Sequence, residues 1–174
     1  MTDVHYRAPL IEDAGALAAF GRETFIDTFG HLYSAANLNA FLDRVHGLPA
    51  VAAELADPAR AYRVAEVDGA LVGYAKIGPM SLPVANPPAT ALELKQLYVL
   101  PAYKGQGVAA TLMAWALDQC HARGARDVYL SVYADNPRAQ AFYRRHGFTI
   151  VGHYKFMVGD HADDEDIMHL QLWD

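Results

Sequence analysis

Thiol is nearly absent from this chain: Cys120 is the one cysteine, so no disulfide can close within it and a reducing, cytoplasmic setting is expected. Long apolar runs are missing too. The longest candidate, Val108 to Leu117, is broken by Thr111, whereas a membrane span needs about 20 residues. The start, Met1 to Arg7, mixes Asp3, His5 and Arg7 and has no apolar core of a cleaved leader. Basic residues are few, 14 against 20 acidic ones for a net charge of −6, which argues against a nucleic-acid partner held by phosphate neutralisation. No His-x-x-x-His pair occurs, and the run Asp160 to Asp166 lacks the central glycine of a calcium loop, so no metal is expected and the segment Gly159 to Glu165 reads as a solvated acidic loop.

What is present is the composition of a soluble globule, 174 residues with 53% hydrophobic and 20% charged side chains, and a length that fits one domain, residues 1–174. Charge is unevenly spread. From Lys95 to Arg145 there are seven basic and three acidic residues, and the remainder holds seven basic and seventeen acidic ones. One half suits an anionic ligand and the other a cationic one.

The first third reads as helical. A short strand at His5 to Arg7 precedes an apolar stripe at Leu10, Ala14, Leu17, Phe20 and Phe25, ended by Gly30; Leu38, Phe41, Leu42 and Val45 repeat the spacing, and Val51 to Leu55 adds a further turn or two. Tyr62 to Ala65 and Leu71 to Ile77, joined through Asp68-Gly69, form a hairpin pattern. The proline-rich stretch from Met80 to Thr90 is a loop. A strand then runs to Leu100, a helix from Val108 to Cys120 with Gly124 behind it, a strand from Asp127 to Val132, a helix after Asn136-Pro137 closed by Gly147, and two last strands, Phe148 to Lys155 and Asp166 to Leu172. Cys120 falls on the apolar face of its helix and reads as core; Trp115 falls off that face, which marks either a subunit contact or a second packing face.

The chemistry is concentrated in the strand, glycine turn and helix from Leu97 to Cys120. Gly105 and Gly107 leave room near the main chain, and the amides of Gly105 to Ala110 stand at a helix N-terminus, where donors and dipole attract an anion such as phosphate. Gly-Lys-Ser/Thr is missing and no third glycine follows, so neither a nucleoside-triphosphate loop nor a dinucleotide fingerprint is present.

With Lys104-Gly-Gln-Gly107-Val-Ala109 and Asn136-Pro-Arg-Ala-Gln-Ala-Phe-Tyr143-Arg-Arg-His-Gly147-Phe148 in order, the chain resembles the GNAT superfamily of acetyl-CoA-dependent N-acetyltransferases. These motifs span roughly residues 91–148. The resemblance implies an α/β single domain with a mixed, splayed sheet of six or seven strands flanked by helices. It implies that the main chain of Leu97, Tyr98 and Val99 pairs with the pantetheine arm, and that Lys104, Gly105, Gln106, Gly107, Val108, Ala109 and Ala110 cradle the pyrophosphate. Lys104 stands where Gln or Arg is commoner, keeping a cation but losing forked donation. Asn136 is expected to meet the pantetheine region while capping its helix, Tyr143 to protonate the departing thiolate, and Glu93 to act as base, since an alkylamine of pKa about 10 must lose a proton before it attacks. A main-chain amide near Val99 would meet the oxyanion.

The segments Glu93 to Val99, Phe156 to Asp160 and Asp166 to Met168 are similar to a bacterial subgroup that includes polyamine (spermidine) acetyltransferases, which agrees with the acidic remainder. A small-molecule amine substrate is therefore expected, and the family resemblance also implies a homodimer. Two other functions stay open from the residues: a regulatory acyl-CoA sensor with little catalysis, and acetylation of a protein N-terminus or lysine. Phe25, Phe29, His31 and Tyr33 either wall the acceptor site or pack a helix corner.

Overall fold

In the computed structural model, which describes residues 2–173, the order of elements follows the hydrophobic pattern. β1 (His5–Arg7) leads through a 3-10 turn, Ile11–Asp13, into α1 (Ala14–Phe29). The stripe that begins at Leu10 is thus two elements: Leu10 and Ile11 are exposed, and burial starts at Ala14. Ser34 caps α2 (Ala35–His46) by accepting from the Asn37 amide at 3.2 Å. α3 (Leu48–Ala56) has Pro49 in its first turn.

β2 (Ala61–Val67) and β3 (Ala70–Pro79) pair antiparallel across Asp68 and Gly69, whose φ values of +50° and +80° match the left-handed pair that a tight hairpin turn requires. After the proline-rich loop come β4 (Leu92–Val99), α4 (Val108–Ala122), β5 (Asp127–Tyr133) and α5 (Pro137–Arg145). β6 (Thr149–Val158) and β7 (His161–Gln171) complete a seven-stranded sheet in the order β1-β2-β3-β4-β5-β7-β6. Only β4 and β5 run parallel among the described strands.

β7 corrects the expected acidic loop. The turn is no longer than Gly159-Asp160, and Asp163, Asp164 and Glu165 lie within the strand. Acidic residues persist there because each has a partner across the sheet or above it. Lys155 on β6 donates to Asp164, Tyr33 donates to Asp163, and Ser131 on β5 donates to Glu165. Charge alone resembled a solvated turn, but the period of two and its remote partners make a strand.

The two faces of the sheet are covered differently. On one, α4 buries Val108, Leu112, Met113, Ala116 and Cys120 against Ala75, Ile77, Leu94, Val128, Leu130 and Phe148, with α5 packed at the margin. Trp115 packs against this core, its ring beneath the Arg63 guanidinium at 5.4 Å, so it serves a packing face within the chain. On the other face, Leu17, Phe20 and Val51 of α1 and α3 lie over Tyr62, Val64 and Tyr74 of β2 and β3, while Phe25, Phe41 and Leu42 of α1 and α2 pack on Val158 and Phe156 of β6. Helices α1 and α2 therefore reach across from one half of the sheet to the other. Among the described residues, no helix is long and apolar enough to cross a membrane.

Leu112 is fully buried at the centre of the α4 face. Leu112→Ala is expected to cost about 2–5 kcal/mol, read as a lower urea midpoint at unchanged m-value; a loss below about 1 kcal/mol would place the core elsewhere.

Candidate active site

The site is built on a fork in the sheet. β4 and β5 are paired only at Leu92 with Val128 and Glu93 with Tyr129, and from Leu94 onward β4 has no partner on that side among the described residues. The opposite edge of β4 stays paired with β3, through Gly73 with Val99, Tyr74 with Tyr98 and Ala75 with Leu97. The pairing jumps from Lys76 with Gln96 to Ile77 with Leu94, which leaves Lys95 as the extra residue of a bulge. Bulges bend a strand and raise its twist, so β4 turns away from β5 just beyond the last shared pair. The main chain of Leu97, Tyr98 and Val99 thereby offers unpaired donors and acceptors along the open side of the fork.

β4 delivers the chain to the glycine turn through Pro101–Tyr103. Gly105 and Gly107 have φ of +80° and +85°, and a Cβ at either would meet nothing within 4 Å. Glycine is required there by backbone conformation, and the space above the turn is open. Gly107 is the N-cap of α4, with no side-chain cap bond and no acid in the first turn, so the amides of Val108, Ala109 and Ala110 face outward uncapped. Gln106 donates from Nε2 to the Ala102 carbonyl at 2.7 Å and braces the turn, while Lys104 is exposed beside it.

Across the fork, Asn136 caps α5 with Oδ1 accepting from the Ala139 amide at 3.2 Å, and its Nδ2 has no hydrogen-bond partner among the described residues. Two turns on, the Tyr143 ring lies between Phe142 and Phe148, with centroids 5.5 and 6.1 Å away. Its hydroxyl makes no hydrogen bond among the described residues. Burial pushes its pKa up to about 12, and the charge of Glu165 adds to the shift, so the hydroxyl keeps its proton at neutral pH and remains a donor.

Glu93 sits at the last shared pair, the apex of the fork, and is buried. Its Oε2 accepts from the Ser81 amide at 2.9 Å, Ser81 Oγ at 3.0 Å and Lys95 Nζ at 2.9 Å. This carboxylate ties the start of the proline-rich loop to the bulge.

A second carboxyl group stands on the same face, and sequence reasoning missed it. Strand register places Glu165 opposite Tyr133 on β5 and Tyr154 on β6. Ser131 Oγ donates to Glu165 Oε2 at 2.9 Å and lies 2.9 Å from the Tyr154 hydroxyl. Burial raises the Glu165 pKa to about 7, opposed by the Ser131 hydrogen bond and reinforced by Asp163 and Asp166. The same charge is felt by Tyr143 and Tyr98. Asp163, Asp164, Glu165 and Asp166 form an unbroken acidic run, which hides the period of two.

Above this face, Phe29 meets Tyr133 edge-on at 5.8 Å, and Tyr33 donates to Asp163. Phe25 lies deeper, against Phe41, and His31 is exposed; the aromatic cluster thus both packs a corner and borders the site. His46 is buried under Phe25, Phe41 and Tyr98, with its pKa pushed down to about 4 by burial and then by Lys76. Cys120 is buried in the core, and its thiol is pushed up to about 12 by the lack of solvent, which makes it unfit as a nucleophile. Among the described residues, no cluster of His, Cys, Asp and Glu could hold a metal.

Known proteins resemble this chain in sequence and in fold. An uncharacterised N-acetyltransferase of Mycobacterium tuberculosis is 35% identical over 160 residues, 92% of this chain and 98% of its own. The N-alpha-acetyltransferase RimI of the same organism is 41% identical over 99 residues, 57% of this chain and 58% of that protein. The crystal structure of the PaiA N-acetyltransferase of Thermoplasma acidophilum in complex with coenzyme A has a TM-score of 0.77 at 21% identity, over 97% of this chain and 99% of that one, a likeness of fold. The model of the Acetyltransferase (GNAT) family matches residues 16–148, from α1 through the glycine turn to the end of α5. The chain belongs to the GNAT acetyltransferase family, a family of acyltransferases.

Proposed function

We propose that this protein transfers an acetyl group from acetyl-CoA to a primary amine by direct attack, with both substrates bound together. The observation that carries the reading is the fork between β4 and β5 opening beside the uncapped N-terminus of α4. Acetyl-CoA supplies the thioester. The residues fit it: the positive-φ glycines leave open space, the amides of Val108 to Ala110 suit a pyrophosphate, and the bare edge of Leu97 to Val99 suits the amides of a pantetheine arm. Lys104 adds a point charge at the mouth and Asn136 Nδ2 a free donor on the far side.

Tyr143 Oη holds the proton that the leaving sulfur needs, and burial keeps it there until it is used. An ammonium acceptor must also lose a proton. Glu93, the base implied by the family resemblance, is on the acceptor face with Oε2 occupied three times over and Oε1 without a hydrogen bond among the described residues. Glu165, Asp163 and Glu93 share that face with Tyr133 and Tyr154, a lining that suits a cation. We therefore favour a small cationic amine, such as a polyamine, as acceptor. Acetylation of a protein N-terminus is the second reading, supported by the similarity to RimI.

Thiol release from acetyl-CoA with spermidine, amino acids, aminoglycosides and short peptides tests the function. Turnover on one class establishes the enzyme and its acceptor, while tight acetyl-CoA binding with no turnover on any of them supports a sensor. Tyr143→Phe should lower kcat about 10- to 100-fold with acetyl-CoA affinity unchanged in calorimetry; an unchanged kcat removes Tyr143 from the mechanism.

Gly107→Ala forces a side chain into the left-handed region, at a cost of roughly 1–2 kcal/mol. The turn is expected to shift and to weaken acetyl-CoA binding by about tenfold or more, the worth of one charge-assisted amide contact. Unchanged affinity in the same titration would move the pyrophosphate off this turn.

A further inference from the structure

We infer that Glu165, and not Glu93, takes the proton from the acceptor's ammonium group, with Ser131 and Tyr154 as the residues that position it. The inference rests on the acetyltransferase reading and concerns the same fork. Glu93 stands at the apex, where β4 and β5 still share hydrogen bonds, and its Oε2 holds the Ser81 amide, Ser81 Oγ and Lys95 Nζ. Moving a proton there would disturb a structural clamp. Glu165 lies beside the part of β5 that has already left β4, opposite Tyr133 and one strand from Ser131. Its Oε2 is fixed by Ser131, which is itself 2.9 Å from the Tyr154 hydroxyl. Oε1 makes no hydrogen bond among the described residues.

The surroundings of Glu165 are uncommonly suited to one proton. Ser131 and Tyr133 face it from β5, Tyr154 from β6, Asp163 and Asp166 flank it on β7, and Tyr33, Tyr98 and Tyr143 come within reach of its charge from the first helical layer, β4 and α5. No lysine or arginine is among these neighbours. Burial and the two aspartates raise its pKa to about 7, where a base is half available at neutral pH. Tyr143, the proton donor, is one of the groups that feel its charge.

The protons balance. Glu165 Oε1 takes one from the ammonium, breaking an N–H bond and forming an O–H bond, and the nitrogen's electron pair is freed to attack. Tyr143 Oη gives its proton to sulfur as the C–S bond breaks and regains one from nitrogen as the amide forms. Glu165 returns its proton to water.

The experiment compares wild type, Glu165→Gln, Ser131→Ala and Glu93→Gln, with acetyl-CoA and either spermidine or an alanine-initiated tripeptide, from pH 5.5 to 9.5. Wild-type kcat should rise through an inflection near 7 and then level. Glu165→Gln should lose about 100-fold or more at pH 7 and regain activity steadily toward pH 9.5, as free amine accumulates. Ser131→Ala removes the bond that opposes the raised pKa, and should move the inflection upward by roughly half a unit to one unit.

Melting curves without substrate supply an independent readout. A carboxyl group whose folded pKa is raised from 4.5 to about 7 stabilises the fold below the lower value and loses that contribution as pH rises through the upper one. Glu165→Gln should therefore melt a few °C above wild type at pH 8 and show no such gain at pH 4.

Loss by one constant factor at every pH, activity of Glu165→Gln within about threefold of wild type, or an inflection that vanishes only in Glu93→Gln would each overturn the assignment. If Glu165→Gln fails to fold, an unmoved inflection in Ser131→Ala overturns it as well. Wild-type protein that releases no thiol with spermidine, the tripeptide or any amino acid or aminoglycoside fails the acetyltransferase reading itself, and the assignment with it.

Discussion

Everything distinctive in this molecule depends on two strands that stop sharing hydrogen bonds. β4 and β5 are neighbours in the middle of a seven-stranded sheet, yet they are joined by two residue pairs and then part. Opening a sheet at its centre is costly, because main-chain donors and acceptors lose partners. The cost is confined by pairing each strand along its other edge, β4 with β3 on both sides of the bulge and β5 with β7. The bulge at Lys95 sets where the separation begins. An extended ligand with amides of its own is the natural complement to such an edge.

The layers are arranged around that opening. α4 fills one face beneath β3 to β5, and its N-terminus arrives at the fork through the glycine turn. On the other face α1 and α2 bridge the halves, packing on β2 and β3 with Leu17 and Phe20 and on β6 with Phe25 and Phe41. Two otherwise weakly connected half-sheets are thus held at a fixed separation. Polar groups in this layer are mostly matched in pairs, Lys76 with Glu54, Lys95 with Glu93 and Arg7 with Asp13 and Glu66. These pairs take up Glu54, Glu93, Asp13 and Glu66, whereas Glu165 is held by the Ser131 hydroxyl and has no such cation among the described residues.

Local signals in the sequence were enough for most of the fold. The Asp68-Gly69 turn, the buried stripe of α4, Pro137 behind Asn136 and the paired glycines each depend on residues close in the chain, and each appears where its pattern points. The composition of the glycine turn was legible for the same reason, whereas the α/β class with a splayed sheet came from the family resemblance that the two motifs carry. What failed was long-range compensation. Ser131 and Glu165 are 34 residues apart, Tyr33 and Asp163 are 130 apart, and nothing near Asp163 in the chain announces that a hydroxyl will meet it. An acidic strand thus read as a turn, and with it went Glu165, the carboxyl group held by Ser131 on β5. Glu93 was visible because the family motif points to its position, but the use of its oxygens by Ser81 and Lys95 depends on how the proline-rich loop folds back.

Cys120 has a consequence outside the fold. The thiol is sealed in the α4 core with its pKa pushed up to about 12, so thiolate is scarce at working pH and disulfide reagents have no route to it while the protein is folded. A chromogenic disulfide added to the folded protein will count coenzyme thiol alone, without blocking or mutating the protein. The same reagent becomes a monitor of unfolding, since each chain that opens contributes one new reactive sulfur.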